Sequence, residues 1–322
     1  MYGLLFRVSF VQEMELRQVH DHLALYNWIG CAEASKGKAA LSWHPVSSSC
    51  ANKEQQLNFQ TYLRAVVPLF LPFSLAFAQS DGDLAAHRDA GTEFALLVAQ
   101  AEEANDDKGL QTEEVNQLVA ILSDEKRLLK AEQYRAKELE GLFDLCGITH
   151  RAVMSLALFR MKEHVDPKAE PQVVVVQVAA LIQKNVESFS RQLRHLQPFS
   201  IRCAARQVPP MTEFIASLAP AQFTEVRRQG LEQTRAGFAQ MFVSVIQSLG
   251  DLRCDEAYRL ALVQALADSA PAFVSTMPVA VRVQIRSNIG AVEKASPPGF
   301  DPFIKQIDKA LADSTCDGLC RF

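Results

Sequence analysis

Apolar side chains recur three and four positions apart along most of the chain after residue 79. One stripe runs through Val175, Val178, Ile182, Val186 and Phe189. This period places apolar residues on one face of an α-helix, and here it outweighs the β-propensity of the valines. The pattern predicts an all-α protein, an irregular bundle of about eight to nine helices. A short solenoid of helix pairs is the alternative architecture.

Capping residues and prolines predict where these helices begin and end. A second helix is expected to start after Thr112 and to run to Cys146, with Gly147 as its C-terminal cap. A later helix should open at Pro171 and reach about Leu196. The pair Pro209-Pro210 predicts the next helix boundary, so a domain sub-boundary is expected near 198–210.

The segment 281–286 is ambiguous between strand and helix. Apolar and polar residues alternate strictly in it, which is typical of a strand. Val281, Ile285 and Ile289 also satisfy the helical period, and Pro278 suits a helix start. Helix is the favoured interpretation.

Residues 61–80 have the layout of a secretory signal peptide. Arg64 precedes an uncharged stretch, and Ala76-Phe77-Ala78 stands before a polar run that begins at Gln79. A positive end, a short apolar core and a small-x-small site are the three parts of such a signal. We therefore predict cleavage between Ala78 and Gln79. The alternative is that 65–78 is a buried apolar segment of a globular protein.

Sixty residues precede this segment, whereas a signal peptide acts at an N-terminus. We therefore expect translation to start near Leu57 or Leu63, at a non-AUG codon, with 1–56 an untranslated or unstructured leader. The predicted organisation is then a signal peptide over 57–78 and a helical domain over 79–322. In the alternative, Met1 is the true start and 1–78 is a genuine N-terminal domain of a cytoplasmic protein.

Five cysteines follow residue 79. In an oxidising compartment, two disulfides and one thiol are the natural count. Cys203, Cys254, Cys316 and Cys320 are the disulfide candidates, either as a short Cys316–Cys320 loop or with each of those two joined to Cys203 or Cys254. Cys146, in an apolar setting, is predicted to be the unpaired buried thiol. Five reduced cysteines in a cytoplasmic core are the alternative.

Composition and charge restrict the function classes. The chain is 48% apolar and 22% charged with a net charge of −4, which is typical of a globular protein and argues against nucleic-acid binding. No stable membrane span is expected after cleavage. No metal-ligand spacing or cofactor-binding motif is found, so the prediction includes no metal and no cofactor.

Four polar residues are weak candidates for chemistry. Glu125 and Glu132 share one face of the predicted second helix, and two carboxylates so placed can bind a cation or act in acid–base catalysis. His164 and Asp166 are close together at a predicted helix end. The simpler interpretation of all four is a solvated surface.

A mildly basic group, Arg191, Arg194, His195 and Arg202, suits an anionic partner, although surface solvation explains it equally well. His87, His150 and His195 are expected to be isolated surface residues. The favoured function is an exported helical protein that binds a protein or another envelope component, in the periplasm or the medium. An exported enzyme with scattered site residues and a cytoplasmic helical protein are the alternatives.

Overall fold

A computed structural model describes residues 81–131 and 133–322, and the all-α prediction is confirmed for these residues, which contain no strand. The predicted signal peptide, the Ala78–Gln79 junction and Glu132 lie outside them. The α-helices are α1 (Asp81–Ala104), α2 (Glu113–Leu122), α3 (Glu125–Leu128), α4 (Leu139–Ala157), α5 (Met161–His164), α6 (Pro171–Ser188), α7 (Ser190–Ser217), α8 (Glu225–Leu249), α9 (Glu256–Val274), α10 (Val279–Ala295) and α11 (Asp301–Leu311).

The chain divides into two compact units. The described part of the smaller unit is Met161–Leu181, which holds α5 and most of α6. The larger unit contains 81–160 and Ile182–Phe322. It is a helical bundle, and every feature discussed below belongs to it unless the smaller unit is named.

Helices α7 and α9 form the centre of the larger unit. Helix α7 packs most extensively against α9 and α4, and α9 also packs against α8 and α11. Helix α9 is buried on several faces, since Leu262, Ala265, Leu266 and Ala270 are all inaccessible to solvent. A helix that is apolar nearly all round is expected in the interior of a bundle. Its small alanines allow the neighbouring backbones to approach closely.

Helix α7 continues through the predicted boundary at Pro209-Pro210. It runs unbroken from Ser190 to Ser217 with Pro198, Pro209 and Pro210 inside it. The predicted boundary is therefore wrong, and 198–210 is helical throughout. Buried Val208 and Met211 keep the core face continuous across the prolines. Tertiary packing of that face outweighs the cost of about 3 kcal/mol that an interior proline carries.

The helix that opens at Pro171 ends earlier than predicted. Helix α6 stops at Ser188, and Phe189 separates it from α7. Phe189 is fully buried and meets Phe159 edge to face, with ring centroids 5.4 Å apart. The Asn185 amide donates to the carbonyls of Ala157 and Phe159 at 3.0 and 2.9 Å. The aromatic contact and these hydrogen bonds fix the interruption.

The predicted second helix is several elements rather than one. Thr112 does cap its start, because its hydroxyl accepts from the Val115 N–H at 3.4 Å. Helix α2 then ends at Leu122, and α4 runs through Gly147, so the predicted C-terminal cap there is wrong. Thr149 is buried, and its hydroxyl donates to the Leu122 carbonyl at 2.8 Å. Helix α4 thereby satisfies one of the last carbonyls of α2.

The ambiguous segment 281–286 is helical, as favoured. It lies within α10, whose residues Ile285 and Ile289 are buried, whereas Val283 is exposed. A strand would have placed Val283 and Ile285 on the same face.

One described stretch, Ala136–His164, meets the length and hydropathy of a membrane-crossing helix by composition alone, with 61% of its most apolar window buried. The core helix of a soluble bundle meets the same criteria.

Candidate functional site

A disulfide joins helices α4 and α7, which pack against each other. Cys146 on α4 is bonded to Cys203 on α7, at a sequence separation of 57 and a Cα–Cα distance of 5.6 Å. Both residues are buried in a cluster with Leu142, Leu145 and Phe199. The bond therefore lies within the hydrophobic core and holds α4 against α7.

This pairing corrects the prediction for Cys146 and Cys254. Cys146 is bonded, and among the described cysteines Cys254 is the one that is free and buried. The apolar neighbours of Cys146 indicated burial correctly, but burial alone does not distinguish a thiol from a disulfide. Burial raises the pKa of the Cys254 thiol, and Asp251 raises it further. Such a thiol is a poor nucleophile near neutral pH.

The second disulfide closes a short loop at the C-terminal tail. Cys316 is bonded to Cys320, which is one of the pairings that the sequence allowed. The Cys320 N–H donates to the Ser275 carbonyl at 2.9 Å, and Leu319 is fully buried. The tail approaches Ser275 so closely that a Cβ added to Gly318 would lie 2.6 Å from the Ser275 carbonyl oxygen. This loop is docked on the body of the unit.

Arg282 is buried beneath the same tail. Its Nε donates to the Met277 carbonyl at 2.9 Å, and its Nη1 donates to the carbonyls of Asp313 and Thr315 at 2.7 and 2.6 Å. Arg282 is only 1% exposed, and its guanidinium donates to backbone carbonyls and to the Cys320 sulfur. Arg282 therefore connects α10 to the tail, and it is occupied in that role.

His87 is buried, so the expectation of a surface residue is wrong. Its Nε2 lies 3.2 Å from the Leu145 carbonyl and 3.4 Å from the Thr149 hydroxyl, while its Nδ1 has no partner within the described residues. Burial lowers the pKa of the imidazole, although the hydrogen bond to Leu145 opposes this. The Nε2–H tautomer fits this geometry because Nε2 can then donate to the carbonyl. His87 is a neutral structural residue between α1 and α4.

Of the two carboxylates predicted to share a helix face, Glu125 lies on the four-residue α3, which ends at Leu128. Glu132 lies outside the described residues, so the predicted pair stays a prediction. Arg202 pairs with Glu125 at 3.5 Å and with Asp268 at 3.1 Å. Glu125 borders an open depression of about 530 Å³. Its carboxylate is nevertheless already engaged in this ion-pair network.

His164 and Asp166 both lie in the smaller unit, and no hydrogen bond joins them within its described residues. Asp166 instead organises a turn: its carboxylate accepts from the Lys168 N–H, and its own N–H donates to the Gln177 amide oxygen, both at 2.9 Å. His164 ends α5 and is exposed. The two residues do not form an acid–base pair in this arrangement.

The basic group of the sequence lines a cleft between α2 and α7. Arg191, Arg194 and His195 come from the first turns of α7, and α2 completes the cleft with Asn116, Val119 and Ala120. The cleft has a volume of about 180 Å³. Within the described residues, the side chains of Arg191 and Arg194 make no hydrogen bond or ion pair. Their donors are therefore available.

Arg202, the fourth member of that basic group, does not line the cleft, because it is held by Glu125 and Asp268. The spacing of the other three members places them on one helix face: Arg191 and Arg194 are three apart, and Arg191 and His195 four apart. The sequence could show this common face. It could not show that α2 adds an amide and an apolar wall.

No group of three or more histidine, cysteine, aspartate or glutamate side chains suited to a metal ion occurs within the described residues. Comparison of the chain with protein-family models, with curated proteins and with solved structures finds no match.

Proposed function

We propose that the protein is exported and that it acts by binding a partner in the cell envelope or the secreted fraction. The observation that carries the proposal is the Cys146–Cys203 disulfide, which lies in the core and spans 57 residues of sequence. Disulfides of this kind persist in oxidising compartments and are rare where cellular thiols are kept reduced. A core bond between α4 and α7 fits a protein that folds after export.

The signal-like segment supports the same proposal independently. Arg64, the apolar stretch after it and the Ala76-Phe77-Ala78 site stand directly before α1, which begins at Asp81. Cleavage after Ala78 would leave a short polar segment ahead of the first helix. The proposed mature chain therefore begins next to the first described element.

The binding role is supported by the cleft between α2 and α7. Its two arginines have unused donors within the described residues, whereas Glu125, Asp166 and His87 are occupied in structural contacts. Arginines with free donors in a cleft are suited to hold an anionic group of a ligand or partner.

Export is tested with the full chain, tagged at its C-terminus and produced in its native host. The parent protein is expected outside the cytoplasm as a chain that begins at Gln79. Ala76→Phe with Ala78→Phe should abolish cleavage because the signal peptidase site requires small residues. Ala85→Phe is the matched control, since Ala85 is exposed on α1 beyond the predicted site. An uncleaved cytoplasmic parent chain would refute the proposal.

A further inference from the structure

The cleft between α2 and α7 concentrates positive charge in a confined space. Arg191 and Arg194 face it from α7, Arg194 being half-buried, and His195 stands beside them. On the α2 side, Asn116 supplies an amide, and Val119 and Ala120 supply an apolar wall. Two guanidinium groups, an imidazole and an amide thus converge on about 180 Å³.

Among the residues that the structure describes, no carboxylate lines the cleft. The acidic residues of α2, Glu113 and Glu114, lie in its first turn and do not line the cleft. The pKa of the His195 imidazole is lowered, first by partial burial and then by the positive charges of Arg194 and Arg191. The arginines therefore repel a further proton, and a bound anion would reverse that effect.

We propose that this cleft binds the phosphate group of a small organic molecule, with Arg191 and Arg194 as its principal donors. Two guanidinium groups match a doubly charged oxyanion, and their planar forks suit the geometry of phosphate oxygens. A carboxylate would neutralise only one of the two charges. The apolar wall of Val119 and Ala120 receives the organic part of the ligand.

This inference rests on the proposed binding function and specifies its ligand class. It is tested separately from export, because binding is measured on the purified, disulfide-intact protein. Failure to bind phosphate would leave the export result standing. A failed export test would likewise leave the binding result standing.

The test follows His195 by NMR while pH is varied, with inorganic phosphate and with sodium chloride at equal ionic strength. Bound phosphate should raise the pKa of His195, since a dianion favours the imidazolium. By linkage, the affinity calculated per phosphate dianion should rise as pH falls through the pKa of His195, by up to about tenfold for each unit by which phosphate raises that pKa. The concentration of the dianion is computed at each pH, because phosphate itself takes up a proton over the same range. An unchanged pKa of His195 in saturating phosphate would overturn the proposal.

Variants identify the donors. Arg191→Gln and Arg194→Gln should each weaken phosphate binding about tenfold or more, because a charge-assisted hydrogen bond is lost. Arg228→Gln is the matched control: Arg228 is exposed, pairs with Glu225 on α8 and does not line the cleft. Thermal unfolding checks that both variants fold. Because Arg191 is exposed, Arg191→Gln is expected to fold, so the test remains decisive even if Arg194→Gln fails to fold. Equal affinity in the parent and Arg191→Gln would contradict the assignment.

Phenyl phosphate tests the organic part of the ligand. It should bind at least as tightly as inorganic phosphate, because its ring can cover the apolar wall. Binding that is clearly weaker than that of inorganic phosphate would overturn this part of the proposal.

Discussion

At the scale of single residues, the bundle accommodates two buried titratable side chains in different ways. His87 is kept neutral by burial, with its Nε2 near the Leu145 carbonyl. Arg282 places its guanidinium among the backbone carbonyls of Met277, Asp313 and Thr315. Neither residue is available for chemistry, but each makes a distinct contribution to stability that can be measured.

His87 should make the stability of the protein depend on pH. Its pKa in the folded protein lies below the ordinary value of 6.5, so the unfolded chain binds this proton more readily than the folded chain does. The contribution of His87 is therefore complete above 6.5 and is lost as pH falls through 6.5 towards the lowered pKa. Urea unfolding at a series of pH values measures this loss as a fall in the free energy of unfolding.

The control is His87→Gln, which can still donate to the Leu145 carbonyl but cannot titrate. The difference in stability between the parent and this variant should shrink as the solution is acidified from about pH 7.5 to 5. A difference that stays constant over that range would show that His87 does not titrate as described.

Replacement of Arg282 by Gln should lower the free energy of unfolding by about 3 kcal/mol, because several buried carbonyls lose a charged donor. The matched control is Arg286→Gln, one helical turn later on α10. Arg286 is exposed and pairs with Asp308 at 2.7 Å, so its loss should lower the free energy of unfolding far less than the loss of Arg282 does. Urea unfolding of both variants makes the comparison. Equal costs would contradict the structural role assigned to Arg282.

At the scale of elements, α11 compensates for a proline inside α9. Pro271 has no N–H, so it leaves the Ala267 carbonyl without its helical donor. The Gln306 amide on α11 donates to that carbonyl at 3.0 Å. A side chain of α11 therefore supplies the hydrogen bond that Pro271 cannot make within α9. This contact also holds α11 in register against α9.

This repair predicts coupling between the two positions. Gln306→Ala should destabilise the parent by about 1 kcal/mol, because the Ala267 carbonyl loses its donor. In a Pro271→Ala background the helix can supply its own N–H, so the same substitution should cost clearly less. A double-mutant cycle based on urea unfolding measures the difference. Additive effects of the two substitutions would contradict the repair.

Element type was predictable where the apolar period is long, as in α6. A capping residue also placed one start correctly, because Thr112 precedes α2 and caps it. Pro209 and Pro210 led to a wrong prediction, because a proline lacks an N–H and favours a helix end, whereas the buried face of α7 continues through both. Helix ends that depend on a distant partner, such as Phe159 for Phe189, leave no local signal.

The site was predictable only in part. The common face of Arg191, Arg194 and His195 follows from helical spacing, but the opposing wall from α2 depends on how two helices dock. The same holds for Cys146: its burial follows from its apolar neighbours, whereas its bond to Cys203 requires knowing that α4 and α7 are adjacent. Long-range contacts of this kind are absent from local sequence pattern.

At the scale of the whole molecule, the two disulfides have unequal consequences. Closing the loop of 57 residues between Cys146 and Cys203 stabilises the fold by roughly 4 kcal/mol in the chain-entropy treatment. The Cys316–Cys320 loop is far shorter, so its contribution is smaller. The core bond thus links the stability of the bundle to the redox state of its compartment, and it would persist in the oxidising environment that the proposed export provides.

Export is tested by intact-mass analysis and N-terminal sequencing of the protein from its native host, with denatured samples alkylated before and after reduction. An exported protein should begin at Gln79, with one alkylated cysteine before reduction, Cys254, and five after it. A chain that begins at Met1 and is alkylated at all its cysteines before reduction would contradict export.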